Sequence, residues 1–266
     1  MSAVLKHTDT PYVLRADQGG VSTLTLNRPA QFNALSSAML TALQEQLDAI
    51  ATDSSVRVVV LAAEGKAFCA GHDLKEMRAN PAKEFQQALF RQCGKMMMSL
   101  TQMPQPVIAR VHGIATAAGC QLVSMCDLAV SADVAKFAVS GVNLGLFCST
   151  PSVGLARNMG RKQALEMLLT GEFIDAHEAQ RRGLVNRVSS VIDLDTEVGK
   201  LCDSLAAKSA VALAMGKQMF YKQIEMGLDG AYQYAAEVMA CNMMSEDAQH
   251  GLDCFIDKRK PTWKDR

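Results

Sequence analysis

Charge of a single sign is missing from this 266-residue chain: lysine plus arginine and aspartate plus glutamate number 27 each. Such a surface offers no strong field for a polyanion, so nucleic acid is not expected as a partner. Cysteine pairing is missing too. Eight cysteines are scattered at positions 69, 93, 120, 126, 148, 202, 241 and 254, with no CxxC. No histidine pair has ligand spacing either, so no metal is expected. The cysteines read as reduced and mostly buried, and the N-terminus lacks the apolar core of a signal peptide, which points to a cytoplasmic protein. No apolar run reaches the roughly 18 residues a membrane-spanning helix needs, so no membrane partner is expected. GxxxxGK, GxGxxG, HExxH and GxSxG are all absent, which removes P-loop hydrolysis, Rossmann dinucleotide binding, zincin chemistry and the serine nucleophile elbow. Tryptophan occurs once against sixteen methionines, which suggests adaptable packing and carries no functional weight.

What is present is a core. Hydrophobic residues make up 49% and charged residues 20%, enough for one large domain or a core with a short C-terminal extension. Residues 12–17 and 21–26 flank a Gly19-Gly20 pair and predict a hairpin. Ser36 or Ser37 caps a helix whose Met39, Leu40, Leu43, Leu47 and Ile50 share one stripe. Residues 56–61 predict a buried strand, with a loop of small residues from Glu64 to Asp73 after it. A helix is expected over 83–102, stopped by Pro104 and Pro106, then strands over 107–111 and 128–130, with a helix opening near Ala117 between them. This alternation is that of an α/β core. From Lys162 the pattern is mainly helical, with Asp175 and Glu178 as a capping box and helices over about 194–207, 211–226 and 230–244. Such a tail packs either on a neighbouring subunit or back on its own core, and the sequence leaves both open.

Two segments share a physical property. Residues 68–73 (FCAGHD) and 113–119 (GIATAAG) each follow a strand, and the second runs into a helix. Small side chains at such junctions leave backbone N–H groups unobstructed, and a helix N-terminus adds positive potential. Two such loops meeting could polarise one carbonyl oxygen from both sides. Close packing of helix against strand explains the small residues equally well.

The segments LNRP (26–29), NAL (33–35), AFCAGHDL (67–74), HG (112–113), GC (119–120), CD (126–127), ALEMLLTG (164–171) and GLV (183–185) occur in this order. With KRK at 258–260, they resemble the signature segments of the enoyl-CoA hydratase/isomerase, or crotonase, superfamily along nearly the whole chain. ATAAGCQ (115–121) with GLFCSTP (145–151) is most similar to the subgroup called enoyl-CoA hydratase domain-containing protein three. The resemblance implies an α/β fold made of a crotonase-like spiral of ββα units with a helical C-terminal trimerisation region. The expected division is a core with an acyl-CoA site over 1–195 and helices over 196–266 for oligomerisation and closure over CoA. Backbone N–H groups of His72 and Ala118 would form the oxyanion hole. Ala70, Gly71, His72, Asp73 and Leu74 would receive the adenine, with Arg28, Phe255 and Lys258 as further CoA contacts. Ala30 stands where the family often has a lysine. No covalently bound cofactor is implied, since coenzyme A arrives with the substrate. The implied partners are an acyl-CoA thioester and copies of the same chain, as a trimer or a dimer of trimers, and the implied setting is fatty-acid metabolism.

The same comparison exposes two departures. Gln121 and Gly141 stand where hydratases carry their two catalytic glutamates. Glutamine cannot accept a proton near neutral pH and glycine offers no group at all. Weak or absent hydratase activity is therefore expected. Thioester polarisation remains, with a non-catalytic acyl-CoA binder or a decarboxylase or thioesterase as the alternatives. Ser140 and Cys148 are the candidate substitutes: Cys148 lies where naphthoyl-CoA synthases place an acidic residue, and Ser140-Gly141 resembles their Thr-Gly pair near bound bicarbonate. Cys148 reads more readily as a buried, inert core thiol than as a nucleophile. Asp73 is expected to cap its loop and Asp127 to be structural. Putting glutamates at 121 and 141 is expected to raise hydration.

Overall fold

The computed structural model describes residues 10–265, so part of the stretch on which the signal-peptide expectation rests lies outside the described residues. Strands β1 (Val13–Gln18) and β2 (Val21–Leu26) pair antiparallel as the expected hairpin. Its turn uses Gly19 and Gly20 with φ of 58° and 81°, the left-handed pair that matches the twist of a two-residue hairpin. Ser36 accepts a hydrogen bond from Met39 N and so caps α1 (Ser37–Ala51), whose buried residues are the predicted stripe.

The chain then repeats a strand–strand–helix pattern. Strand β3 (Val58–Ala63) is followed by β4 (Ala67–Cys69) and helices α2 (Leu74–Ala79) and α3 (Lys83–Gln102). Strand β5 (Val107–Val111) leads to β6 (Ile114–Thr116) and α4 (Ala118–Met125). Strand β7 (Leu128–Ala132) leads to β8 (Lys136–Ala138), a 3-10 turn over Ser140–Leu144 and α5 (Ser149–Asn158). Helix α6 (Arg161–Thr170), β9 (Ile174–Asp175), α7 (Ala176–Arg181) and β10 (Arg187–Ser189) complete this part.

The hairpin, β10 and the first strand of each of the three turns form one sheet, ordered β1-β2-β3-β5-β7-β10, and the second strand of each turn joins β9 in another, ordered β4-β6-β8-β9. All pairings are parallel except β1 with β2 and β8 with β9. Each turn of the chain thus advances one strand in both sheets, which is a spiral of ββα units. Both expected loops contain a strand, β4 in the first and β6 in the second.

Four helices finish the chain: α8 (Leu194–Ala206), α9 (Ala210–Gln223), α10 (Leu228–Met243) and α11 (Glu246–Ile256). Leu194, Val198, Leu201 and Cys202 of α8 pack on Val58, Val60, Ile108 and Val130 of the larger sheet, forming a second core cluster. Helix α9 is fastened to the same chain's core by Lys217, which donates to Leu100 O at 2.7 Å and Gln105 O at 2.8 Å and pairs with Asp127 at 2.6 Å. These two helices fold back on their own core. On α10 and α11, Leu228, Tyr232, Met239, Phe255 and Ile256 remain exposed.

Candidate functional site

The first loop is built around Asn33, which is fully buried at a positive φ of 54°. Its amide donates to Glu64 O and Ala67 O, and its oxygen accepts from Arg28 N at 2.8 Å. One side chain therefore holds the ends of three segments. Ala70 N then donates to Phe32 O and Leu35 N to Gly71 O, with Leu35 and His72 forming an isolated parallel bridge. Asp73 ends the loop as the N-cap of α2, accepting from Lys75 N at 2.9 Å and Glu76 N at 3.1 Å. That is the capping role expected of it.

The second loop reaches α4 through Ala117, whose φ of 51° and ψ of −120° form an uncommon conformation for a residue with a side chain. Such strain persists where the surroundings over-determine it and marks the junction for attention. A Cβ built on Gly119 would lie 2.1 Å from Cys69 O, so only glycine lets α4 meet β4. A Cβ on Gly71, whose φ is +94°, would lie 3.1 Å from Ala118 N and 2.9 Å from the Ala117 Cβ. The two loops therefore touch at Gly71 and Ala118, beside the N-terminus of α4. The small residues do serve close packing, and the same packing brings the two backbones together.

A third segment closes the site. Ser140 Oγ lies 3.1 Å from Thr116 Oγ1, linking the turn after β8 to the end of β6. Beyond it the chain doubles back, with Leu146 N donating to Gly141 O at 3.0 Å and Gly141 N to Cys148 Sγ at 3.3 Å. Between these segments lies a mainly apolar cavity of about 630 Å³, a size suited to a small-molecule site.

The cavity gathers Ala70, His72, Asp73, Leu74, Ala118, Ser140, Gly141 and Cys148. Sequence reasoning missed Phe32, Leu144 and Phe147, which supply its apolar wall together with Met77 and Phe90, the ends of a segment expected to set the depth of the pocket. It also assigned His72 only a backbone role. The imidazole packs edge-on against Phe90, with ring centroids 5.3 Å apart at 86°, and its Nε2 is buried without a hydrogen-bond partner. Burial pushes its pKa down to about 4, so the ring is neutral at physiological pH. Burial pushes the Cys148 thiol up, partly opposed by the Gly141 N–H. It is therefore protonated near neutral pH, which fits the core-thiol reading.

Other expected site residues lie apart from the cavity wall. Gln121 is buried on α4 with its Oε1 unpartnered. Arg28 turns away, donating to Thr10 O, Pro11 O and Asn27 O while its guanidinium stacks 3.7 Å from the Tyr12 ring centroid. Phe255 and Lys258 sit at the end of α11, where Phe255 is 84% exposed. Asp127 accepts from Val107 N at 2.7 Å and Tyr221 Oη at 2.9 Å beside Lys217, which is the structural role expected. Among the described residues no cluster of three metal-ligating side chains occurs, and no helix is long and apolar enough to cross a membrane.

Two sheets fed alternately by ββα turns, with glycine-mediated contact between two loops over a cavity, define a crotonase-type α/β protein. The Enoyl-CoA hydratase/isomerase family model matches residues 16–266, and the chain belongs to that family. The Xenopus laevis protein named enoyl-CoA hydratase domain-containing protein 3, mitochondrial, is 45% identical over 98% of this chain and 88% of its own length. Its human counterpart is 43% identical over 92% of this chain and 80% of its own length. The crystal structure of a Mycobacterium smegmatis enoyl-CoA hydratase superposes with a TM-score of 0.94 at 57% identity, covering 96% of this chain and 99% of that one. Human enoyl-CoA hydratase domain-containing protein 3 superposes at 0.92 with 42% identity, covering 95% and 100%. The cytoplasmic expectation is overturned by these vertebrate relatives, which are named as mitochondrial proteins. All eight cysteines are free and seven are buried.

Proposed function

We propose that this chain is an acyl-CoA enzyme of the crotonase class that binds a thioester in the cavity and polarises its carbonyl oxygen between the backbone N–H groups of His72 and Ala118. The observation that carries this reading is the approach of Gly71 to Ala118 N, within contact distance for a single added carbon. It sets the residue after Gly71 beside the positive end of α4, where negative charge developing on an oxygen gains most. Residues 70–74 receive the adenine by the same resemblance, with coenzyme A arriving as part of the substrate. The exposed residues of α10 and α11 serve assembly as a trimer or a dimer of trimers.

Hydration is weak or absent in this reading. Among the described residues Asp73 is the single carboxylate that lines the cavity, and its Oδ1 is engaged with Lys75 N and Glu76 N. Gln121 and Gly141, at the glutamate positions of the family, provide no acid or base. Each missing group forfeits roughly 10²–10⁴-fold. Calorimetry with butyryl-CoA and turnover of a panel of CoA thioesters test the proposal together. Binding with turnover supports it, binding without turnover makes the chain a non-catalytic binder, and absent binding removes it. Crotonyl-CoA hydration is expected to run orders of magnitude below that of two-glutamate relatives.

A further inference from the structure

We infer that the Phe147 side chain is a movable partition between the cavity and a second hollow, and that the acyl groups taken here are long apolar chains whose tails pass it. This rests on the reading that a thioester is held between His72 N–H and Ala118 N–H. The second hollow, of about 420 Å³, lies between α5 and α6 and is walled by Ser152, Ala156, Arg161, Ala164, Leu165 and Leu168. Among the described residues, Phe147 is the one that lines both this hollow and the 630 Å³ cavity. The two spaces therefore meet at a single residue.

The backbone around that residue is fixed. Phe147 O accepts from Ser149 N at 2.8 Å, Leu146 N donates to Gly141 O at 3.0 Å, and Gly141 N donates to Cys148 Sγ at 3.3 Å. The turn before this loop is held to the end of α6, where Asn143 Nδ2 donates to Gly171 O at 3.5 Å. A Cβ built on Gly171 would lie 2.9 Å from Val142 Cγ1, so the two segments are in close contact there. What can move is the side chain. Phe147 is 43% exposed, and exposed side chains change rotamer within picoseconds to nanoseconds.

Both sides of the partition suit hydrocarbon. Phe32, Leu144 and Leu146 stand with Phe147 on the cavity side, while Ala164 and Leu168, which belong to the buried core, stand on the other. Arg161, the charged residue of the hollow's wall, is exposed, so its charge stays in water. A tail in such a space gains about fourfold in affinity for each methylene withdrawn from water. A short acyl group stays on the oxyanion side of the ring and gains nothing from the hollow. The ring itself weakens binding of a long chain, since a ligand that needs the open rotamer binds only the fraction of molecules that has it.

Calorimetry with butyryl-, octanoyl- and lauroyl-CoA tests this, read as the ratio of lauroyl to butyryl affinity. In the wild type lauroyl-CoA is expected to bind at least about 100-fold more tightly than butyryl-CoA. Ala156→Trp plugs the hollow from α5 and Leu165→Trp plugs it from α6. Each is expected to cut that ratio about tenfold or more, leaving lauroyl-CoA no tighter than octanoyl-CoA. Phe147→Ala removes the partition and is expected to raise the ratio about tenfold, and Ala156→Trp added to it should abolish the gain. A wild-type ratio near one overturns the inference and leaves thioester binding standing. So does a ratio that neither plug lowers, which would put the tail elsewhere, or one that Phe147→Ala leaves unchanged. Absence of binding by every thioester of the series removes both readings.

Discussion

A Cβ atom at position 141 would lie 2.4 Å from Leu146 O and 2.8 Å from Cys148 Sγ, so the glycine there is demanded by the fold of its own loop as much as by any chemistry. The expectation that glutamates at 121 and 141 together raise hydration is therefore corrected at the second position, since Gly141→Glu must displace the 141–148 loop. Gly141→Ala is enough to test the crowding: it is expected to destabilise by about 1–3 kcal/mol, read by denaturant unfolding. A glutamate at 121 would be buried as Gln121 is, and desolvation would raise its pKa and oppose its ionisation. His72 yields a pH prediction with a definite sign. Its pKa is lowered from 6.5 to about 4 in the folded chain, so below 6.5 the unfolded chain binds the proton more readily. Stability contributed by the neutral ring is complete above 6.5 and is lost as pH falls toward 4, by up to about 3 kcal/mol. Melting curves across that window should show a shallower decline for His72→Gln than for the wild type.

Among the ties that hold helix α9 is a buried pair, Lys217 with Asp127, at 2.6 Å. Burial pushes the Asp127 carboxyl up and the Lys217 ammonium down, each opposed by the attraction of the other. Removing one partner leaves the other buried without compensation, so Lys217→Met is expected to destabilise by about 3–5 kcal/mol. Asp127→Asn added to it should recover part of that loss in the same unfolding assay. The long elements were legible because their signals are local. The α1 stripe follows helical spacing behind a serine cap, and α3 ends before two prolines. Strands β4, β6 and β8 have three residues each, too few to show a period, and exist because distant neighbours pair with them. The second sheet was therefore invisible in the local pattern, and only the family resemblance, with its ββα units, implied it. Helix α11 was missed although Ser245 caps it by accepting from Ala248 N, a signal of the same kind that located α1. At the site, small residues advertised the two loops. The cavity wall draws Phe32, Phe90 and Phe147 from three separate segments, and the His72 side chain takes its character from burial that no local pattern encodes.

The chain as a whole leaves an apolar surface that its own core does not cover. On α10, Leu228, Tyr232, Met239 and Met243 are exposed by 76%, 72%, 70% and 44%. Their spacing of four, seven and four residues places them on one helical face. Phe255 and Ile256 of α11 are exposed as well, by 84% and 74%. A monomer rarely presents contiguous apolar surface of this kind, and a second copy of the chain is the partner that the assembly reading supplies. Helix α8 packs on the larger sheet and α9 is fastened by Lys217, so disruption of the α10 face should spare the fold. Tyr232→Glu with Met239→Lys is expected to lower the mass in solution from a trimer or its multiple toward a monomer, measured by light scattering after gel filtration. The far-ultraviolet circular dichroism spectrum should remain that of the wild type. The same variant connects assembly to the cavity. Phe255 and Lys258 lie off the cavity wall within one chain, so if they contact coenzyme A they do so through a neighbouring copy. Butyryl-CoA binding should then weaken along with the mass, whereas full binding by the dispersed monomer would show that one chain holds the ligand unaided.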